Sequence, residues 1–219
     1  MDRNSTSSRL ILGSASPRRR TLLATLGLPF ECGTAHGVDE SAVTRTAHEC
    51  VTQLARRKAE AVLAQVNVSR DDAALRVLGA DTVVAVSASG RDEILGKPSD
   101  SDHARAMLAQ LAGSTHEVYT AVALAIPNET VRVEVEVTQV TFRALSAYDI
   151  DAYVASGEPD GKAGAYAIQG QGRSLVAGLR GCYYNVVGLP LARTARLLGV
   201  PYTCDCTRCD LQRGTAGCG

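Results

Sequence analysis

The stretch "HEVYTAVALAIPNETVRVEVEVTQVTF", His116 to Phe142, decides the fold. Val133, Val135 and Val137 alternate with Glu134 and Glu136, and a repeat of two puts the valines on one face of an extended strand and the glutamates on the other. Two such runs joined through "NE" predict a long antiparallel hairpin. Upstream, "RLILG" (9–13) and "PFECGTA" (29–35) read as strands around a helix, and a longer helix spans about 45–65, where Thr46 and Glu49 fit a capping box. "LRVLGADTVVAVS" (75–87) reads as a strand interrupted by an acidic residue. "ASGRD" then turns the chain towards "EILGKPSD", and "SDHARAMLAQLAG" (101–113) reads as a helix. Downstream lie a helix over "SAYDIDAYVASG", the glycine-rich "GKAGAYAIQGQG", a strand over "LVAGLRGCYY" and a helix over "NVVGLPLARTARLLG". This order predicts an α/β or α+β fold around a mixed, strongly curved sheet. The long hairpin and the lack of G-x-G-x-x-G exclude a plain dinucleotide-binding series.

The chain has 219 residues, enough for one sizeable core. Lys plus Arg and Asp plus Glu both number 23, so the overall charge draws the protein to neither nucleic acid nor an anionic membrane, and any positive site must be local. No apolar run approaches the ~18 residues needed to span a bilayer. "MDRNSTSSR" lacks the apolar segment of a secretory signal, which makes the cytoplasm the expected location. Four of the seven cysteines, Cys204, Cys206, Cys209 and Cys218, crowd the last sixteen residues, but their spacing is not that of a paired zinc knuckle. A tail of reduced thiols is the expectation. His36, His48, His103 and His116 show no metal-binding spacing and are expected to be surface or structural.

Two places break local rules. In "LGSASPRRRTLLATLG" (12–27), Ser16 can cap a helix starting at Pro17, yet Arg18, Arg19 and Arg20 crowd its positive end. Cations there cost roughly 0.3 to 1 kcal/mol each when exposed. A phosphate reverses the sign of that cost, so small residues followed by arginines at a helix N-terminus point to an anion site, with Arg18 and Arg19 as its cations and Arg20 towards solvent. The second place is Asp81 in "VLGADTVVAV". A buried carboxylate needs a cation, a metal or a fan of donors; a strand-end carboxylate capping a neighbouring turn is the alternative. Asp39 and Glu40 offer further oxygens from a loop, and two carboxylates near a phosphate site suit Mg²⁺.

"LILGSASPRRRTLL", "GADTVV", "LGKPSD", "HEVYTAVAL", "SGEP", "KAGAYAIQG" and "YYNVVGLPL", in that order, resemble the Maf proteins, nucleoside triphosphate pyrophosphatases named for septum formation. The resemblance covers residues 9–199, leaving 1–8 and 200–219 as flanking tails. It implies an elongated α/β fold with a cleft between two lobes, related to inosine triphosphate pyrophosphatases, and a homodimer. It also implies roles for particular residues. Ser14, Arg18 and Arg19 match the phosphate-binding loop, Glu40 and Asp81 the acidic metal-binding residues, and Lys58, Lys97 and Gln169 further cleft residues. Asp81 matches the catalytic proton acceptor, with Glu40 and Lys97 beside it in the catalytic set. Arg18, Thr82 and Gln169 fall where the dTTP/UTP-cleaving subgroup has residues tied to substrate choice, and "KAGAYAIQG" looks like that subgroup. Gly161 stands where the family commonly has Asp, with Asp160 one place earlier.

The implied reaction is attack of water on the α-phosphorus, with Mg²⁺ (Mn²⁺ as the other candidate) neutralising the triphosphate and a nucleoside monophosphate and pyrophosphate as products. An amide such as Gln169 suits a pyrimidine's imide edge. Arginines number 20 and lysines three, Lys58, Lys97 and Lys162, and all three fall inside the family-like segments. That bias marks Lys97 as a group whose compact ammonium matters, and adds Lys162 to the substrate-binding set. The other class of function is a nucleotide-sensing or nucleic-acid-binding regulator of septation that hydrolyses nothing.

Overall fold

The computed structural model describes residues 9–38, 46–66, 75–88 and 91–203. The expected hairpin forms β5 (Thr115–Ala125) and β6 (Arg132–Phe142), paired antiparallel from Thr115↔Thr141 to Leu124↔Arg132. It is the middle of a seven-stranded mixed sheet. β1 (Leu10–Gly13) pairs parallel with both β2 (Glu31–Gly33) and β3 (Arg76–Ala88), while β3 pairs antiparallel with β4 (Arg91–Leu95) and β5, and β6 with β7 (Val176–Arg180). The order is β2-β1-β3-β5-β6-β7, with β4 beside β3.

β3 organises the rest. One edge pairs with β5 over residues 77–85; the other is divided, with β1 taking residues 76–79 and β4 taking 84–88. Residues 80–83 lie between the two partners. Each face of the sheet carries a buried apolar cluster. On one face, α2 (Ala47–Gln65) lays Cys50, Val51, Leu54, Ala55, Ala59 and Val62 against Val77, Val83, Ala85 and the alanines of β5. On the other, Leu12, Leu78, Ala80, Val84, Val122 and Phe142 meet α1 (Pro17–Ala24), α3 (Ser101–Leu111), α4 (Ala147–Ala155) and α6 (Leu191–Leu198).

The helix starts follow the sequence. Ser16, Thr46, Asp100 and Ser146 cap α1, α2, α3 and α4, and Ser146 with Asp149 completes a reciprocal capping box. Two expectations shift. The strand over 175–184 ends at Arg180, because Gly181 turns at φ 124° and Tyr183 already opens α5 (Tyr183–Val187). The single helix over 185–199 is two. Gly188 at φ 120° ends α5, and Pro190, which has no N–H to donate, precedes α6. The glycine-rich segment forms two 3₁₀ turns, 163–165 and 170–175; Glu158 of "SGEP" accepts from the N–H groups of Gln171 (2.9 Å) and Gly172 (3.1 Å). The cysteine tail, with Cys204, Cys206, Cys209 and Cys218, lies outside the described residues.

A small-residue contact sets the height of α2. A Cβ on Gly79 would stand 2.5 Å from Ala55 O and 2.6 Å from Ala59 N, so the helix backbone rests directly on β3 there. Gly79→Ala is expected to lower unfolding free energy by about 2 kcal/mol, the cost of overpacking a fixed contact. Urea unfolding measures it, and an unchanged midpoint would contradict the contact.

His116, 1% exposed, donates to or accepts from Tyr166 Oη at 2.8 Å and meets the rings of Phe142 and Tyr166 edge-on. Burial pushes its imidazole down to about 4. The fold holds the neutral ring while the unfolded chain, near 6.5, takes the proton first. This stability is therefore complete above about pH 6.5 and is lost as pH falls towards about 4, by up to about 3 kcal/mol. Urea midpoints across that range are expected to drop, and His116→Gln to flatten the slope.

Candidate active site

The interval in β3 opens into a cleft of about 740 Å³. The turn after β1 lines it with Ser14 to Arg19, α2 with Cys50, Leu54 and Lys58, β3 with Asp81 to Val84, and the β4–α3 loop with Gly96 and Lys97. Lys162 and Tyr166 of the first 3₁₀ region and Val186 to Gly188 of α5 close it. Successive residues of a strand face opposite ways, so Asp81 points to the α2 face and Thr82 to the other. The gap exposes both to one space.

Asp81, 7% exposed, meets its cation: Lys58 Nζ donates to its Oδ1 at 2.6 Å. Lys58 comes from the fourth turn of α2, next to Ala59, so the close approach at Gly79 brings the ammonium down to the carboxylate. The side chains are 14% and 10% exposed, and the pairing offsets the cost of burying either charge alone. Sequence reasoning put Lys58 in the cleft but did not pair it with Asp81. The two are 23 residues apart and on different elements, a relation that helix periodicity does not encode.

Arg19 turns inward and is held by four acceptors. Nε donates to Gly188 O at 2.8 Å, Nη1 to Ala80 O at 2.9 Å and to Ser14 Oγ at 3.3 Å, and Nη2 to Thr82 Oγ1 at 3.0 Å. The guanidinium thus bridges β3 and α5 across the cleft's base. Gly188 suits this position through its φ of 120°, which side chains rarely adopt. Arg18 lines the cleft beside Lys162, whose ammonium is pushed below its ordinary value by burial and by Arg18, against the opposing pull of Glu158 and Asp160. Two cations at one wall can hold an anion. Lys97 is exposed at the rim, and Gly164 N donates to Gly96 O at 3.0 Å, tying the loop of Lys162 to the loop of Lys97.

The structure therefore brings together Ser14, Arg18, Arg19, Lys58, Asp81, Thr82, Lys97 and Lys162. Gln169 is exposed at the start of the second 3₁₀ turn and is not among the described residues lining the cleft. Glu40 and Asp39 lie outside the described residues. Arg20 is exposed, as expected. Among the described residues, Asp81 is the one carboxylate in the cleft wall, and no three His, Cys, Asp or Glu side chains gather as a metal site. Thr120 and Asn185, both fully buried, were not singled out from sequence; the signal was a polar residue in each of two apolar runs, "YTAVAL" and "YYNVVG".

With a divided strand edge, a buried Lys–Asp pair and a cationic wall in place, the comparisons decide the relationship. The family model described as Maf-like protein matches residues 9–200. The chain belongs to the Maf family. A Maf relative from Pelotomaculum thermopropionicum named dTTP/UTP pyrophosphatase is 50% identical over 191 residues, covering 86% of this chain and 94% of that protein. One of the same name from Myxococcus xanthus is 50% identical over 196 residues, covering 89% and 93%. Among solved structures, a HAM1 protein from Coxiella burnetii matches with TM-score 0.48 and 14% identity over 87% of this chain and 98% of that one.

Removing the ammonium separates the buried lysine from the exposed one. Lys58→Met is expected to lower unfolding free energy by about 3 kcal/mol by leaving Asp81 buried without its cation. Lys97→Met at the rim should stay within about 0.5 kcal/mol of the parent. Equal urea midpoints for the two variants would contradict the pairing.

Proposed function

We propose that this protein hydrolyses dTTP, UTP or modified pyrimidine analogues at the α–β phosphoanhydride, yielding the monophosphate and pyrophosphate. The observation that carries the reading is Asp81, a carboxylate held by Lys58 inside a cleft whose other charged lining residues, among those described, are all cations. The names of the relatives about 50% identical supply the substrate class. The absence of net charge on the chain counts against a nucleic-acid-binding regulator, and among the described residues no helix is long and apolar enough to cross a membrane. A homodimer rests on the family resemblance.

The chain's own groups divide the work. Arg18, Lys97 and Lys162 receive the triphosphate and stabilise charge that develops on the departing pyrophosphate. The backbone N–H of Arg18, at the start of α1, adds a donor for the same oxygens. Lys58 fixes Asp81 through Oδ1, and an ionised carboxylate has about four acceptor sites, so Asp81 keeps capacity to orient water and take its proton. A hard, strongly hydrated cation such as Mg²⁺ suits one carboxylate with water and phosphate oxygens completing its shell. Asp81, with Glu40, which lies outside the described residues, would hold Mg²⁺ or Mn²⁺, which would supply neutralisation of the triphosphate.

A panel of canonical and modified triphosphates with Mg²⁺, its products separated by ion exchange, is expected to rank dTTP and UTP above the purines, with pyrophosphate released. Asp81→Asn is expected to cut kcat by at least about 100-fold, the lower end of what a positioned proton acceptor contributes. Orthophosphate with nucleoside diphosphate, or a preference for GTP, would overturn the reading.

A further inference from the structure

Thr120 faces Thr82 across the β3–β5 ladder, and it is the first link between the cleft and the core. Its hydroxyl is 0% exposed, lies 2.9 Å from Thr82 Oγ1 and donates to Asn185 O at 2.9 Å. Asn185 is itself fixed, since Nδ2 donates to Val118 O and to Thr138 Oγ1, both at 2.8 Å. These contacts determine where the protons lie. A carbonyl accepts and never donates, so the Thr120 proton goes to Asn185 O. The proton between the two threonines must then belong to Thr82 and point at Thr120. On its other side Thr82 Oγ1 accepts from Arg19 Nη2 at 3.0 Å, and a guanidinium only donates. The chain runs one way, from Arg19 to Thr82 to Thr120 to the Asn185 carbonyl. Thr82, in the cleft wall, has its proton committed inward and one lone pair left to offer.

We propose that Thr120 is a positioning residue for substrate choice: by taking the Thr82 proton, it makes Thr82 an acceptor towards the cleft and so selects bases that present N3–H. The proposal rests on the pyrimidine reading above. Uracil and thymine carry one ring donor on their pairing edge, N3–H, whereas N3 of cytosine is an acceptor. A hydroxyl locked as an acceptor bonds the first and opposes the second. A site built to bond a donor rejects the analogue lacking it, because its own polar group is left without a partner. Thr120 touches no substrate; it acts through Thr82.

Thr120→Val keeps the shape and removes the acceptor, freeing the Thr82 proton to turn into the cleft. The ratio of kcat/KM for UTP to that for CTP is expected to fall by about tenfold, through a higher KM for UTP and a lower one for CTP. Thr120→Ser, which keeps the hydroxyl, should restore the parent ratio. In a Thr82→Val background, Thr120→Val should change the ratio no further, because the group it acts through is gone. If Thr120→Val does not fold, Thr120→Cys, of similar size and with a poor acceptor, should move the ratio the same way. A folded Thr120→Val or Thr120→Cys protein with the parent ratio, or an equal loss for both nucleotides, would overturn the proposal. The unaltered protein is assayed first with UTP and dTTP. No release of pyrophosphate from either would overturn the pyrimidine reading itself, whereas hydrolysis with an unmoved ratio in the variants overturns only the role of Thr120.

Discussion

One edge of β3 is shared by two strands of opposite direction, and the residues between them cannot be covered by either. Backbone polar groups inside a protein need partners. At Ala80 the partner is a side chain, Arg19, which takes the carbonyl and at the same time holds Ser14, Thr82 and Gly188. The arginines that oppose the helix dipole at the start of α1 thus have different reasons. Arg19 completes the sheet edge, Arg18 faces the cleft, and Arg20 lies in solvent. The break in the ladder is a route by which both faces of the sheet reach one cavity.

That route gives neighbouring residues separate environments. Asp81 lies with Lys58 beneath α2, and Thr82 with Arg19, Thr120 and Asn185 on the opposite face. A charged pair and a hydroxyl chain therefore stand one residue apart on opposite faces of β3. Each is anchored by a regular element, α2 for the pair and the β5–α5 contact for the chain. Positions set in this way are held more closely than a loop could hold them.

Much of this was legible in the sequence, for local reasons. The hairpin announces itself by its repeat of two, the helix starts by their capping residues, and Asp81 by standing charged in an apolar run. What could not be read was which distant groups meet. The resemblance puts Lys58 in the cleft, and the Gly79–Ala55–Ala59 contact is what drops it onto Asp81. Arg19 looked like a phosphate ligand on composition, and its four protein acceptors come from segments spread over the whole chain. Gln169 carries a suitable amide, but Glu158 grips the backbone just beyond it and the turn leaves the side chain exposed outside the cleft wall. The split of the last helix needed the weight of Gly188 and Pro190 together, where a run of apolar residues suggested continuity.

The bond from Arg19 to Gly188 joins residues 169 positions apart. During synthesis the chain leaves the ribosome N-terminus first, so α1 emerges long before the carbonyl that Arg19 requires. Asn185, which terminates the hydroxyl chain, arrives equally late. Until then the cleft has no floor on the α5 side, and Arg19 lacks the contact that draws it inward. A nascent or C-terminally shortened chain would therefore carry Arg19 and Thr120 without the carbonyls that they require. The Arg19 side of the cleft is thus completed late in synthesis, by the arrival of residues 185–188.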